Sequence, residues 1–504
     1  MKELIRHKLQ HDFKRIKTSA KWVLFSIVSG LLVGGVGTLF YFGMYVVTLT
    51  RTKNPWLIFL LPVSGILIVG CYRLLHDEKD TGTNLVLSAI HSDEDLPLRM
   101  APLIFISTLI THLFGGSAGR EGAALQLGGS IGNGLGKLFR FDEKDKHIMI
   151  MCGMSAAFSA LFGTPMAAAV FSMEVVSVGV MYYAALVPCV ISSLVAHAVA
   201  EFFGVSQEMF LIGQIPAFKI TSAVKISVLA ILCAGVSIIF CVMLHQSEHL
   251  YKKFFKNPYV RIFAGGCFVL ILTLLVGNQN YNGTGINIIE QCIDGTVRPE
   301  AFFMKMLFTA LTLGAGFKGG EIVPSFFTGA AFGCLFGNLS GFSPTLCTAV
   351  GMAAVFCGVT NCPITALLIS FELFGYDGMP YFLLAVAFSY MLSGYYGLYS
   401  SQKIIYSKYK TNYINRKHIK KLPTYPVFLR YVGSFLMFFP CGFQKIKQSF
   451  FLDQRNALPL ITKHNEIISG LDIEYLSGFC RDHDLTFLTY FYHAENVFSL
   501  RWNF

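Results

Sequence analysis

The residues able to do chemistry gather at glycine-rich breaks in an otherwise apolar chain. Gly115-Gly116-Ser117-Ala118-Gly119-Arg120-Glu121-Gly122 precedes a small-residue helical stretch, Ala123 to Leu138. Glycines at a helix start let an ion approach the backbone, and the first free N–H groups together with the helix dipole attract negative charge. Gly119, Arg120 and Gly122 would line such a position. Glu121 is an ionisable group within apolar sequence, which at membrane depth marks a functional site. Its carboxylate could itself occupy the anion position. Once protonated it would leave, which makes it both a gate and a proton carrier. The plainer alternative is a salt bridge between Arg120 and Glu121 at a helix end. A nucleotide loop is not supported, because GxxxxGK[ST] does not occur here.

Three further segments carry matching chemistry. Gly314-Ala315-Gly316-Phe317-Lys318-Gly319-Gly320-Glu321-Ile322-Val323-Pro324 opens a second helix, and Pro324 suits its first turn. Ile322 and Val323 would offer backbone donors to an ion. Lys318 and Glu321 are charges near the same depth, or a pair that neutralise each other. Thr81-Gly82-Thr83-Asn84 marks a third helix start, where the Thr83 hydroxyl could donate to an anion. Thr or Asn at that place also serves as an ordinary N-cap. Tyr399 ends the aromatic run Tyr395-Tyr396-Gly397-Leu398-Tyr399 and could donate its phenol, although a lone tyrosine also fits an interfacial belt. His112 lies close to Glu121 in sequence, so a membrane-embedded enzyme using the two is a distant alternative. No nucleophile or metal-ligand spacing accompanies that pair, and no cofactor motif is found.

The elements that must position these groups span a membrane. Hydrophobic residues make up 54% of the 504 and charged residues only 14%, against about a quarter charged in soluble domains. Trp22 to Leu49 carries no charge, Ile220 to Leu244 only Lys225, and Tyr376 to Tyr399 only Asp377; each exceeds the roughly 20 residues a span needs. Elsewhere the apolar stretches are short and interrupted, at Gly115–Gly122, Gly163–Pro165, Gly314–Pro324 and Asn361–Pro363. Open backbone is tolerated in hydrocarbon only where it lines a cavity inside protein. These breaks are therefore read as half-helices meeting at a site.

The chain also repeats itself. Gly153-Met154-Ser155-Ala156-Ala157-Phe158 matches Gly351-Met352-Ala353-Ala354-Val355-Phe356 at an offset of 198, continuing through Pro165/Pro363, Ser172/Ser370 and Glu174/Glu372. At an offset of 201, Gly82-Thr83 matches Gly283-Thr284, and Gly119, Gly128 and Gly132 match Gly320, Gly329 and Gly333. Two halves with broken helices in corresponding places indicate a transporter of internal repeats. The expected division is a basic cytoplasmic lead over 1–20, one repeat over 21–205, a second over 206–410, and an extension of unknown role over 411–504.

The net charge of +11 comes from basic clusters beside the spans, at residues 1–21, Lys252–Lys256 and Lys403–Lys421. The first cluster reads as an uncleaved lead that keeps the N-terminus cytoplasmic in a multi-pass protein of the cell membrane. Aromatic-basic platforms are absent, which excludes nucleic acid as a partner. The thirteen cysteines show no CxxC pair, so neither a zinc site nor a disulfide framework is expected.

Taken together, these segments resemble the chloride-channel (CLC) family over about residues 20–410. Gly119-Arg120-Glu121-Gly122 with Leu127-Gly128-Gly129 is similar to the family's GREGP segment, Ala123 standing at its proline. Gly319-Gly320-Glu321-Ile322-Val323-Pro324 resembles the second helix-start motif, Thr83 falls on a serine position, and Tyr399 on a central tyrosine. The resemblance implies an all-α fold of two inverted structural repeats, with discontinuous helices meeting at the midplane. It implies a homodimer with one pore per subunit, no enzymatic activity, and Glu121 as gating glutamate. The expected cargo is chloride, moved by voltage-gated channel activity or in exchange for protons. Three departures stand out. Leu85-Val86 replaces a proline after Thr83-Asn84. The intracellular relay glutamate of many exchangers falls on Val175, with Glu174 beside it. Gly-Phe-Lys-Gly-Gly-Glu over 316–321 resembles the bacterial fluoride-exporting branch, which typically has Asn or Met where Thr83 stands and Thr where Val323 stands. A fluoride/proton antiporter is the alternative expectation.

Overall fold

The computed structural model describes residues 2–77, 81–92, 94–206, 209–213, 215–410 and 412–417, without the side chains of 2–11 and 14. The expectations for residues 418–504 lie outside the described residues.

The first half contains α1 (Lys2–Lys53), α2 (Leu61–Leu74), α3 (Thr83–His91), α4 (Met100–Leu113), α5 (Glu121–Leu138), α6 (Glu143–Phe162), α7 (Pro165–Glu174) and α8 (Leu186–Phe202). The second half answers element for element, with α9 (Ile220–Phe254), α10 (Pro258–Val276), α11 (Ile286–Ile293), α12 (Ala301–Ala315), α13 (Ile322–Ser340), α14 (Pro344–Thr360), α15 (Pro363–Phe374) and α16 (Met379–Leu392). The basic lead is not a separate segment: helix α1 runs through it into the first apolar span.

Among the described residues six helical stretches are long and apolar enough to cross a membrane, from Arg15–Lys53 to Ile322–Ser340, and five more apolar helices are shorter. Their outer faces carry exposed Leu31, Leu39, Ile220, Ile271 and Leu275, as a lipid-facing surface requires. Helices α5 and α13 differ, being buried almost throughout. Each crosses its neighbour through paired glycines, Gly128 on Gly153 and Gly329 on Gly351. A methyl on Gly128 would lie 2.7 Å from the Ala157 Cβ, and one on Gly329 2.9 Å from the Met352 Cα. The repeated glycines thus let two helix pairs approach backbone to backbone.

Two contacts show how the halves are inverted. Gly119 and Gly320, equivalent in the repeat, form an isolated antiparallel bridge, N–H to carbonyl at 2.6 Å and 2.7 Å. Glu372 at the end of α15 accepts from Met166 N (2.8 Å) and Ala167 N (2.9 Å) at the start of α7. Glu174 at the end of α7 returns the contact, accepting from Ile364 N (3.1 Å), Thr365 N (2.8 Å) and Thr365 Oγ1 (2.6 Å). Each half therefore caps a helix of the other, and these buried carboxylates satisfy donors that hydrocarbon would leave exposed.

A small sheet was not foreseen. β1 (Ser177–Val178) pairs in parallel with β2 (Lys403–Tyr406), which pairs antiparallel with β3 (Tyr413–Lys417). It carries regular structure past 410 and ties the region after α16 to the end of α7.

Candidate anion site

Helix starts across the molecule are treated in two ways. At the start of α6, Asp142 accepts from Asp145 N (2.8 Å), while α10 is capped by Asn257 and α14 by Ser343. Most other starts carry no side-chain cap from their own N-cap residue, and those of α3, α5 and α13 are among them, with Gly82, Arg120 and Glu321 at that place. Those three are the helix starts singled out in the sequence. Uncapped N–H groups are what an anion needs.

Glu121 is fully buried. Its Oε2 accepts from Arg120 N (3.0 Å) and from Val323 N (3.3 Å) at the start of α13. A carboxylate of the first half thus sits on the amide end of a second-half helix. The Arg120 Nε lies 3.7 Å from Oε1, so the ion pair is formed as well, and the two readings of this pair coexist. Arg120 is itself held against aromatic faces, 5.3 Å from the Tyr41 ring centre and 5.9 Å from that of Phe162.

Gly122 marks where the segments converge. A methyl there would stand 3.0 Å from the Gly320 Cα, 3.2 Å from Thr83 Oγ1 and 3.4 Å from Glu321 Oε2. The Thr83 hydroxyl donates to the Gly122 carbonyl at 3.4 Å, and Thr83 is the first residue of α3, not its cap. Glu321 Oε2 has no hydrogen-bond partner among the described residues. Ile322 is buried beside Val323. Tyr399 is 1% exposed, and its hydroxyl has no partner among the described residues. The turn that carries it is fastened to the end of α14 by Leu398 N to Val359 O (2.9 Å). The same turn is fastened to α3 by Ser401 N to Asn84 Oδ1 (3.0 Å).

Other expected contacts have different work. Asn84 accepts from Ser400 and Ser401, which anchors the Tyr399 turn. Glu174 is engaged in capping α15, and Val175 beside it is buried at the end of α7. Lys318 lies over the Tyr72 ring, 4.3 Å from its centre. His112 faces the Gly119 carbonyl at 3.2 Å, a helix histidine bonded to the backbone of the Gly119 loop. Ser117 fastens that loop to α12 through Thr312 (3.1 Å) and Thr309 (3.1 Å).

Two buried cations were missed. Lys305 is fully buried and donates to the carbonyls of Tyr281 (3.2 Å) and Gly283 (2.6 Å). Arg51, 8% exposed, packs on Gly283. The rule that flagged Glu121, a charge inside apolar sequence, applied equally to Lys305.

Comparison with known proteins agrees with this geometry. The family profile described as voltage gated chloride channel matches residues 65–394. A chloride/fluoride channel protein of Pseudomonas syringae pv. tomato is 34% identical over 397 residues, 77% of this chain and 88% of the relative. The H(+)/Cl(-) exchange transporter ClcA of Vibrio cholerae is 26% identical over 408 residues, 74% of this chain and 85% of the relative. Among solved structures, a CLC-type fluoride/proton antiporter superposes with a TM-score of 0.73 at 32% identity, covering 76% of this chain and 98% of that one. A slow cyanobacterial Cl-/H+ antiporter gives 0.65 at 19% identity, with 74% and 94% covered. Such proteins are channels and transporters, so the enzyme alternative falls. Inverted halves, uncapped helix starts and a buried carboxylate seated on one of them have one common explanation: the chain belongs to the voltage-gated chloride channel family, the CLC proteins, which move small inorganic anions across membranes.

Proposed function

We propose that this protein exchanges a small halide for protons, with Glu121 as gate and proton carrier. The observation that carries the reading is the Glu121 carboxylate accepting from Val323 N at 3.3 Å, the place an unhydrated anion would take. Arg120, Gly122, Ile322 and Val323 supply the surrounding backbone and Thr83 and Tyr399 supply hydroxyls, while Gly119, whose N–H is spent on the Gly320 carbonyl (2.6 Å), fixes the loop instead of donating to the ion. A proton on Glu121 cancels its attraction for the amides and opens the position to the ion. Glu321, whose Oε2 has no hydrogen-bond partner among the described residues and lies 3.4 Å from where a Gly122 methyl would stand, is the carboxyl we assign to take the proton next. That matters because Val175 offers no relay and Glu174 is committed to a cap.

Fluoride is the cargo in the name of the solved antiporter at 32% identity, while the relative at 34% identity is named for chloride and fluoride alike. Chloride is the second reading, favoured by the Thr83 hydroxyl, which can replace part of that ion's hydration shell. The assembly is a homodimer in the cell membrane, and the basic residues ahead of the first span hold the N-terminus in the cytoplasm. Proteoliposomes loaded with fluoride or chloride and followed with a halide electrode and a pH electrode test this. Fluoride efflux with matching proton uptake is expected. Halide efflux without proton movement would leave a channel and remove the exchanger. Replacing Tyr399 by Phe is a milder test of the pocket. The hydroxyl has no partner to lose among the described residues, so stability should hold, while halide affinity falls about fivefold, the value of one neutral hydrogen bond.

A further inference from the structure

The repeat pairs Gly82-Thr83, at the start of α3, with Gly283-Thr284, and only the first of these serves the central site. We infer that the second builds another anion site, at the start of α11, with Arg51 as its fixed charge. Both approaches to a helix place glycine at positive φ, the N-cap Gly82 at 71° before α3, and Gly283 at 62° followed by the N-cap Gly285 at 81° before α11. Neither α3 nor α11 has a side-chain cap from its N-cap residue. The start of α11 opens on a cavity of about 1070 Å³ lined by Thr284, Gly285, Asn287, Glu290, Arg51 and Arg120, among others.

Arg51 supplies an independent sign of a ligand. It lines this cavity, yet is only 8% exposed, and its Nη1 is buried with no hydrogen-bond partner among the described residues. A buried guanidinium donor without an acceptor is costly, and a bound anion would satisfy it. Gly283 is what lets the charge approach, since a methyl there would sit 2.7 Å from Arg51 Nη2. Lys305 engages the Gly283 carbonyl (2.6 Å), and Gly116 accepts from the Gly283 amide (3.0 Å). In the first turn of α11 Ile288 N and Ile289 N donate to the Gly285 carbonyl (3.0 Å and 3.3 Å), so the donors it offers to the cavity shared with Arg51 are those of Ile286 and Asn287.

The cavity also leads to the gate. Arg120 lines it, contacts Tyr41 on α1, and lies 3.7 Å from Glu121. Tyr41 and Arg51 are ten residues apart on α1, about 15 Å along a helix. An anion at Arg51 is thus held about three helical turns from Arg120 in a cavity with two guanidiniums and one exposed carboxylate, Glu290. Such a field raises the local anion concentration. The ligand is a small monovalent inorganic anion. Its identification with the transported halide rests on the function proposed above.

Two measurements test the site. Crystals soaked in bromide should show an anomalous peak between the Arg51 guanidinium and the first turn of α11, absent in R51Q and present in R51K; no peak there in the native protein overturns the site. In proteoliposomes, R51Q should raise the halide half-saturation by about fivefold at unchanged maximal rate, as expected for one lost charge interaction near a helix start, and R51K should restore it. Bromide bound at Arg51 with an unchanged half-saturation in R51Q overturns the role in transport. A failure of the Glu121 gate itself is read separately, from the pH dependence of E121Q, and leaves the bromide result standing.

Discussion

Glu121→Gln is expected to leave halide flux running while proton flux falls on the order of 100-fold, the usual scale for removing a group that carries the proton. The amide keeps the shape of the carboxyl and loses its charge, so it imitates the protonated gate at every pH. On the proposed mechanism, acid conditions in the native protein should free the Val323 amide from the Glu121 carboxylate and speed transport. That acceleration should vanish in the variant, giving a rate that is flat with pH. Parallel recordings of halide and pH from the same vesicles decide it. A variant whose rate still climbs as pH falls would reduce Glu121 to a partner of Arg120, 3.7 Å away, with no part in gating.

Glu174→Ala is expected to act on the fold and not on coupling. Its carboxylate holds Ile364 N, Thr365 N and Thr365 Oγ1. Each buried donor left without an acceptor costs about 1–3 kcal/mol. The total is expected near 3 kcal/mol, because some of these groups can turn or shift to other acceptors. Thermal unfolding in detergent should show the lowered midpoint, while the protein that does fold keeps its ratio of protons to halide. The opposite pattern, intact stability with collapsed coupling, would make Glu174 a relay and return Val175 to the status of a mere neighbour. The same replacement at Glu372 should behave alike, since it holds Met166 N and Ala167 N in the mirror position.

The proposed site could be assembled from the sequence because its chemistry is written locally. Glycines before a small-residue run announce a helix start, and Glu121 within one announces a charge that hydrocarbon would not otherwise tolerate. Thr83, Ile322 and Val323 followed from the same pattern. Tyr399 did not, since a lone phenol fits an interface equally well; only the resemblance placed it. The repeat was legible too, yet what it does in space was not. Glu174 and Glu372 align at one offset, but capping depends on partners 190 and 205 residues away, a distance no local pattern spans. Arg51 escaped for the opposite reason. It ends an apolar run, where a cation is ordinary, and its meaning depends on Gly283 lying beneath it. The three short strands are likewise a product of packing, two to five residues each.

The exchanged caps also bear on how the chain is made. Ala167 leaves the ribosome 205 residues ahead of Glu372, its acceptor. At about 5–20 residues per second this is a delay of roughly 10–40 s. Through that interval the front of α7 must stay in contact with water or with the insertion machinery, because bare amides cannot rest in lipid. The nascent first half is therefore not a finished module awaiting a copy of itself, and it settles at its final depth only when the later half arrives to receive it.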